Sequence, residues 1–171
     1  MKDILSIIRA RRSIRNFSGK KLTSADISRI LEAGRWAPSG LNNQPWRFLV
    51  IEDKELRNRI SVFTSYGSIL RRAAAVVIVC MDVADSYNRD KDLMAIGASI
   101  QNMLLEAKNL GIGTCWMGEI LNKKKEVAAT LKLDEDMDFL AAIAMGYPAG
   151  KTPKGCRKPL RKLLLKGPSY L

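Results

Sequence analysis

Four short stretches carry the side chains best suited to chemistry. The first is Arg11-Arg12-Ser13-Ile14-Arg15-Asn16-Phe17. Three guanidinium groups and a hydroxyl fall within five residues, and a guanidinium is a planar donor fork that matches phosphate oxygens. The second is Ala37-Pro38-Ser39-Gly40-Leu41-Asn42-Asn43-Gln44-Pro45-Trp46, an amide-rich loop stiffened by two prolines and suited to reading a heteroaromatic edge. The third, Gly111-Ile112-Gly113-Thr114-Cys115-Trp116-Met117-Gly118-Glu119, has glycines that let backbone approach a ligand closely. The fourth is Arg157-Lys158-Pro159-Leu160. Taken singly, each has a plainer reading: a basic helix end, a well-bonded connector, a helix cap before a buried strand, a solvated tail.

What is missing narrows the chemistry further. The 171 residues contain no histidine. That excludes a Ser-His-Asp triad, a Cys-His pair, His-ligated zinc and an imidazole proton shuttle. Cys80, Cys115 and Cys156 are odd in number and far apart, which argues against a disulfide framework and an all-cysteine metal site, so no metal is expected and a reducing, cytoplasmic setting is the simplest expectation. No apolar run reaches the roughly 18–20 residues of a membrane span, and Met1 to Arg12 lacks a signal-peptide pattern.

The formal charge is +12, from 29 basic and 17 acidic residues. Residues 1–40 carry nine basic and three acidic residues and residues 148–171 carry seven basic and none acidic, while residues 83–147 are net negative, with seven basic and ten acidic. The excess thus sits at the two ends of the chain, and two basic ends suggest an anionic partner.

The elements that must position these residues follow from periodicity. Asp3–Arg12 reads as a helix, and Thr23 with Asp26 opens a second that ends at Pro38-Ser39-Gly40. Arg47–Glu52 reads as a strand and Asp53–Phe63 as a short helix. Ala73–Met81 is continuously apolar and β-branched, as a central strand covered on both faces would be. Val83–Asp90 reads as loop, Lys91–Leu110 as the longest helix, Gly111–Gly118 as a short strand, Asn122–Leu131 as a helix capped by Asn122, and Phe139–Tyr147 as another buried strand. With prolines at 148, 153, 159 and 168, the rest is expected to be extended. The expected class is α+β, as one unit spanning 1–171 that can bury roughly 70% of its unfolded surface.

In this order and at these separations, RRSIRNF, APSGLNNQPWRF and GIGTCWMG, supported by RKPL, are specific: the chain resembles the nitroreductase family of FMN-dependent oxidoreductases, from about Ile4 to Leu160. The resemblance implies a three-layer α/β/α fold around a mixed, mainly antiparallel sheet, as an interlocked homodimer with FMN at the interface and residues 148–171 packing on the partner. It implies that Arg11, Arg12 and Ser13 hold the phosphate and ribityl chain, with Arg157 closing from the tail. Arg15 would lie at the flavin pyrimidine edge and stabilise charge at N1 and O2. Pro38, Ser39, Gly40 and Asn42 would come from the partner subunit. Met117, Gly118 and Glu119 would face the ring, a backbone N–H of Gly118 or Glu119 reaching N5. NADH or NADPH would give a hydride to N5, and a nitroaromatic, quinone or similar small oxidant would then take the electrons, in ping-pong order. The cofactor carries the hard chemistry, which is consistent with a chain without histidine.

Other readings stay open. The same cofactor site could serve a dehalogenating, flavin-cleaving or azoline-oxidising reaction, since fold and cofactor do not choose the substrate. A basic nucleic-acid-binding module would use the charged ends as phosphate contacts, against which stand the low aromatic content of 6% and the lack of a nucleic-acid motif. Where longer family members place an Asn and a basic residue against the flavin, this chain has Thr64-Ser65-Tyr66-Gly67-Ser68, so those contacts are expected to be missing or replaced. The short Val83–Lys91 segment is expected to form only a small lid. Trp36, Trp46 and Trp116 are expected in core or interface, Cys115 as a small buried residue, and Gly97-Ala98-Ser99 at a close helix contact, within the chain or across a dimer.

Overall fold

In the computed structural model, residues 3–165 are described. The two central strands explain the rest of the architecture. Strand β2 (Ala75–Asp82) is buried along both faces, and β4 (Met137–Gly146) is buried over its last six residues. They pair with each other, β1 (Trp46–Ile51) flanks β2, and β3 (Gly113–Met117) flanks β4, giving the order β1-β2-β4-β3. All three pairings are antiparallel. The mixed sheet expected from the sequence is therefore replaced by an antiparallel one, and a parallel contact appears as the isolated bridge Ser13–Thr114.

Successive residues of β2 face opposite sides, as strand geometry requires. Ala75, Val77, Val79 and Met81 join one apolar cluster, and Val76, Ile78 and Cys80 the other. On β4 a bulge opposite Val79/Cys80 inserts Leu140, so Phe139 shares a face with Ala142 and Ala144 although strict alternation would separate them.

One face is covered by α2 (Ser24–Arg35) and α5 (Arg89–Asn109), which contribute Ile27 and Ile30, and Ile96, Ile100, Met103 and Leu104. The other is covered by α3 (Lys54–Ser61), α4 (Gly67–Arg72) and α6 (Lys124–Leu131), through Ile60, Ile69, Leu70 and Val127. Each such fully buried aliphatic side chain contributes about 1.5–3 kcal/mol. Gly34 lets α2 and α5 approach closely: a Cβ there would stand 2.7 Å from Met103 Cγ and 3.1 Å from Ser99 Oγ. Of the small-residue patch on α5, Ser99 thus serves an intrachain contact, while Gly97 faces open space.

Helix starts follow their caps. The Thr23 hydroxyl accepts from Asp26 N at 3.1 Å, as the sequence implies. Asn88 caps α5 by accepting from Lys91 N, so that helix begins two residues before the expected start. The expected Asn122 cap does not form: Glu119–Lys123 winds as a 3-10 turn leading directly into α6. Likewise the helix expected over Asp53–Phe63 stops at Ser61, and α4 follows as a separate helix.

Helix α1 (Ile4–Ala10), capped by Asp3, delivers the arginine motif to the sheet. Ile14 N donates to Thr114 O at 2.8 Å, laying the motif beside β3, and Gly113 leaves room for Ile14. Ser18 N donates to Tyr147 O at 2.9 Å and Ala149 N to Asn16 O at 3.0 Å, so the same segment also anchors the start of the tail. The tail runs without regular structure to a short 3-10 turn at Leu160–Lys162, and residues 166–171 lie outside the described residues. Among the described residues, no helix is long and apolar enough to cross a membrane.

Candidate functional site

The two basic ends meet. Arg11 is the C-cap of α1, and Arg11, Arg12 and Arg157 line one cavity of about 570 Å³ with Ile8, Arg9, Gln101 and Gly155. No acidic side chain is among those residues. Burial lowers the Arg11 pKa from its ordinary value, and the like charges of Arg157 and Arg12 lower it further. Arg12 Nη1 donates to Arg9 O at 2.6 Å and Arg11 O at 2.7 Å, fixing the guanidinium over the end of α1, while its Nε is buried without a partner among the described residues. The guanidinium lies against Gly155, where a Cβ would come within 2.5 Å of Nε. Arg157 Nη1 folds back onto Cys156 O at 2.7 Å. Three crowded cations and one orphaned donor fit a multiply charged anion with several acceptor oxygens.

A second cavity, of about 210 Å³, is lined by Arg15, Tyr66, Ile69, Cys115, Trp116, Met117, Gly118 and Glu119. The extended segment after α1 carries Arg12 into the first cavity and Arg15 into the second, with Ser13 between them bridged to Thr114. The Met117 side chain is buried in the core at the end of β3. Glu119 opens the 3-10 turn, so its backbone N–H has no acceptor within that turn. Cys115 is buried and its thiol pKa is raised, chiefly by burial and against the pull of Arg15, which keeps it protonated. Tyr66 and Trp116 are each about half exposed at this cavity. Trp46 is core, but Trp36 and Trp116 are not; Trp36 stands exposed with its Nε1 donating to Glu32 at 2.6 Å.

The Glu119 side chain is the part of this site that motif reading did not find. Its carboxylate accepts from Thr64 Oγ1, from Ser65 N at 3.1 Å and from Ser65 Oγ at 3.3 Å. Thr64 Oγ1 in turn accepts from Tyr66 N at 3.2 Å. The stretch in which flavin contacts were expected to be replaced thus holds an acid of the cavity wall. Gly155 was also missed, because nothing in its sequence surroundings distinguishes it from any tail glycine.

The Pro38–Gln44 loop is elsewhere: Pro38, Ser39, Gly40 and Asn42 line neither cavity. Leu41, Asn42 and Gln44 have φ of 54°, 54° and 48°, a left-handed conformation costly for non-glycine residues. The turn is held by Gln44 N donating to Ser39 Oγ at 3.0 Å and by Asn43 Nδ2 donating to Asp92 at 2.9 Å. Asp92 is wholly buried and also accepts from Ser86 Oγ, Tyr87 N and Asn88 N. Burial alone would raise its pKa, but these donors outweigh it and hold the carboxyl below its ordinary value. The segment expected to be a small lid is therefore tied to the loop, with the Tyr87 hydroxyl against Gly40.

Known proteins resemble this chain in sequence and fold. The model of the Nitroreductase family matches residues 8–66 and 62–147. A protein of Archaeoglobus fulgidus, provisionally named an NADH dehydrogenase/NAD(P)H nitroreductase, is 35% identical over 151 residues, covering 86% of this chain and 87% of its own. The NADPH-flavin oxidoreductase of Vibrio harveyi is 28% identical over 160 residues, covering 86% of this chain and 67% of its own. Among solved structures, one provisionally named a nitroreductase, in complex with FMN, from Desulfovibrio desulfuricans is 44% identical, with a TM-score of 0.93 over 98% of both chains. The motifs, the sheet and these matches agree, and the chain belongs to the Nitroreductase family.

Proposed function

We propose that the chain is an NAD(P)H-dependent flavin oxidoreductase that holds FMN and passes electrons from NADH or NADPH to a small oxidant such as a nitroaromatic or quinone. The observation that carries this reading is the meeting of Arg11, Arg12 and Arg157, from opposite ends of the chain, at a cavity without acid, beside a second cavity that holds Arg15. The donor set fits FMN: an orphaned Arg12 Nε and three cations suit its phosphate, and Ser13 lies between them and the ring-side cavity. The FMN-bound relative at 44% identity and the name of the Vibrio harveyi relative support the same cofactor and donor.

Bound there, FMN would supply the electron relay between the nicotinamide and the oxidant. Arg11, Arg12 and Arg157 bind the phosphate through charge-assisted bonds. Arg15 would supply a fixed positive charge toward the flavin's pyrimidine edge. The backbone at Gly118 and Glu119 would offer an N–H to the flavin ring, with Met117 supporting it from the core.

The working form in this reading is a three-layer homodimer, each 171-residue chain forming one unit whose Pro38, Ser39, Gly40 and Asn42 complete the partner's flavin site. It is supported by Leu41, 86% exposed on a strained turn, by exposed Trp36, by the outer edge of β1, unpaired among the described residues, and by the exposed stretch 150–165. We place the enzyme in the cytoplasm, where reduced nicotinamides are available and its three thiols stay reduced.

The test is direct. Purified protein should be yellow, bleach with NADH or NADPH under anaerobic conditions and recover its colour with a nitroaromatic. Colourless protein that FMN cannot reconstitute would refute the proposal, and elution as an obligate monomer would refute the dimeric part. Arg15→Ala should lower FMN affinity or the rate of bleaching.

A further inference from the structure

The second cavity has one cation and one anion in its wall, Arg15 and Glu119. Opposite charges sharing one small cavity would ordinarily pair, which would engage the Arg15 charge with the protein itself. The structure shows another arrangement. Glu119 takes three hydrogen bonds from Thr64 and Ser65, and no ion pair is found for Arg15 among the described residues. The donors that hold the acid are neutral, so they orient the carboxylate without adding another charge to the cavity.

We infer that Thr64 and Ser65 are positioning residues: they hold the Glu119 carboxylate away from Arg15 and so keep that guanidinium free for the electron-rich edge of the bound cofactor. The local structure serves this role. Thr64 Oγ1 donates to Glu119 and accepts from Tyr66 N, which closes the turn at the start of α4. Gly67 follows where any Cβ would collide with Ser61 O, so the turn is packed directly against the end of α3. Two residues in the turn between α3 and α4 thereby set the electrostatics of a site on β3, although neither Thr64 nor Ser65 lines the cavity.

This rests on the FMN reading of the site, and the experiment separates the two. FMN affinity is measured by fluorescence titration of apoprotein for the wild type, for Thr64→Val/Ser65→Ala, and for that double variant carrying Glu119→Gln. In the double variant both hydroxyl donors are gone and the Ser65 N–H alone remains on Glu119, so the carboxylate is free to turn to Arg15, and FMN affinity falls about tenfold, the loss expected for one charge-assisted hydrogen bond. Glu119→Gln added to it removes the competing anion and restores most of the affinity. Unchanged affinity in the double variant overturns the inference. So does a loss that Glu119→Gln fails to restore, because a turn that only shaped the cavity would not be rescued by removing a charge. If the double variant does not fold, the same comparison is made with Thr64→Val and Thr64→Val/Glu119→Gln, with the same outcomes. A wild type that binds no FMN refutes the cofactor assignment instead.

Discussion

Gly155→Ala tests the phosphate site with one methyl group. The new Cβ would overlap the Arg12 guanidinium, reaching 2.5 Å from Nε. The guanidinium cannot move aside freely, because Nη1 is bonded to Arg9 O at 2.6 Å and Arg11 O at 2.7 Å. Displacing it sacrifices both bonds, at about 1 kcal/mol each, or about 2 kcal/mol in all. The displaced guanidinium no longer meets the phosphate, a charge-assisted bond of about 2 kcal/mol, so FMN affinity should fall about 30-fold. Folding without FMN should lose up to about the same 2 kcal/mol, because both bonds are made by the protein alone; Gly155 lacks a positive φ, so alanine adds no backbone strain beyond that. The assay is FMN titration of apoprotein, with thermal unfolding of the same samples without FMN. Wild-type affinity would refute the argument, as would unchanged stability, which would show that the guanidinium moves aside without losing its bonds.

Three further outcomes follow from the packing. Asp92→Asn places an amide where four donors converge and should cost about 2 kcal/mol in denaturant unfolding, loosening the 40–44 turn; a loss under 0.5 kcal/mol would argue against the latch. Because the folded-state pKa of Asp92 is depressed, its contribution is fully present above the unfolded value of about 3.8 and disappears as pH falls through the lower folded value. The acid limb of a stability–pH curve should therefore be shallower in Asp92→Asn than in wild type. Gly34→Ala improves helix propensity by about 1 kcal/mol but drives a methyl to 2.7 Å from the buried Met103, so a net loss of about 1 kcal/mol is expected in the same unfolding measurement, and any gain in stability would show that α5 yields.

Much of the scaffold was legible because its signals are local. The Thr23 cap, the apolar run of β2 and the arginine motif at the end of α1 each depend on residues within a few positions of one another. Boundaries failed where a tertiary contact overrode a local preference. Asn122 is a good cap by type, yet the chain is already wound as a 3-10 turn from Glu119, whose carboxylate is engaged by Thr64 and Ser65. The break between α3 and α4 is set by close packing of Gly67 on Ser61 O, which no periodicity reveals.

By itself, then, the sequence determined the donor groups and their distribution: no histidine, arginines clustered at both ends, glycines and amides in the loops, and the family those motifs belong to. Tertiary structure alone decided which of them meet. The β1-β2-β4-β3 order puts β3 at an edge where the segment after α1 can lie beside it, and that contact, with the bonds at Asn16 and Tyr147, brings Arg157 to Arg11 and Arg12. It also decided that Glu119 faces Thr64 and Ser65, with no ion pair to Arg15 among the described residues. The physical reason is range: caps and periodicity act over a turn or two, whereas the convergence of like charges and the choice of a carboxylate's partner depend on sheet pairing between segments far apart in the chain.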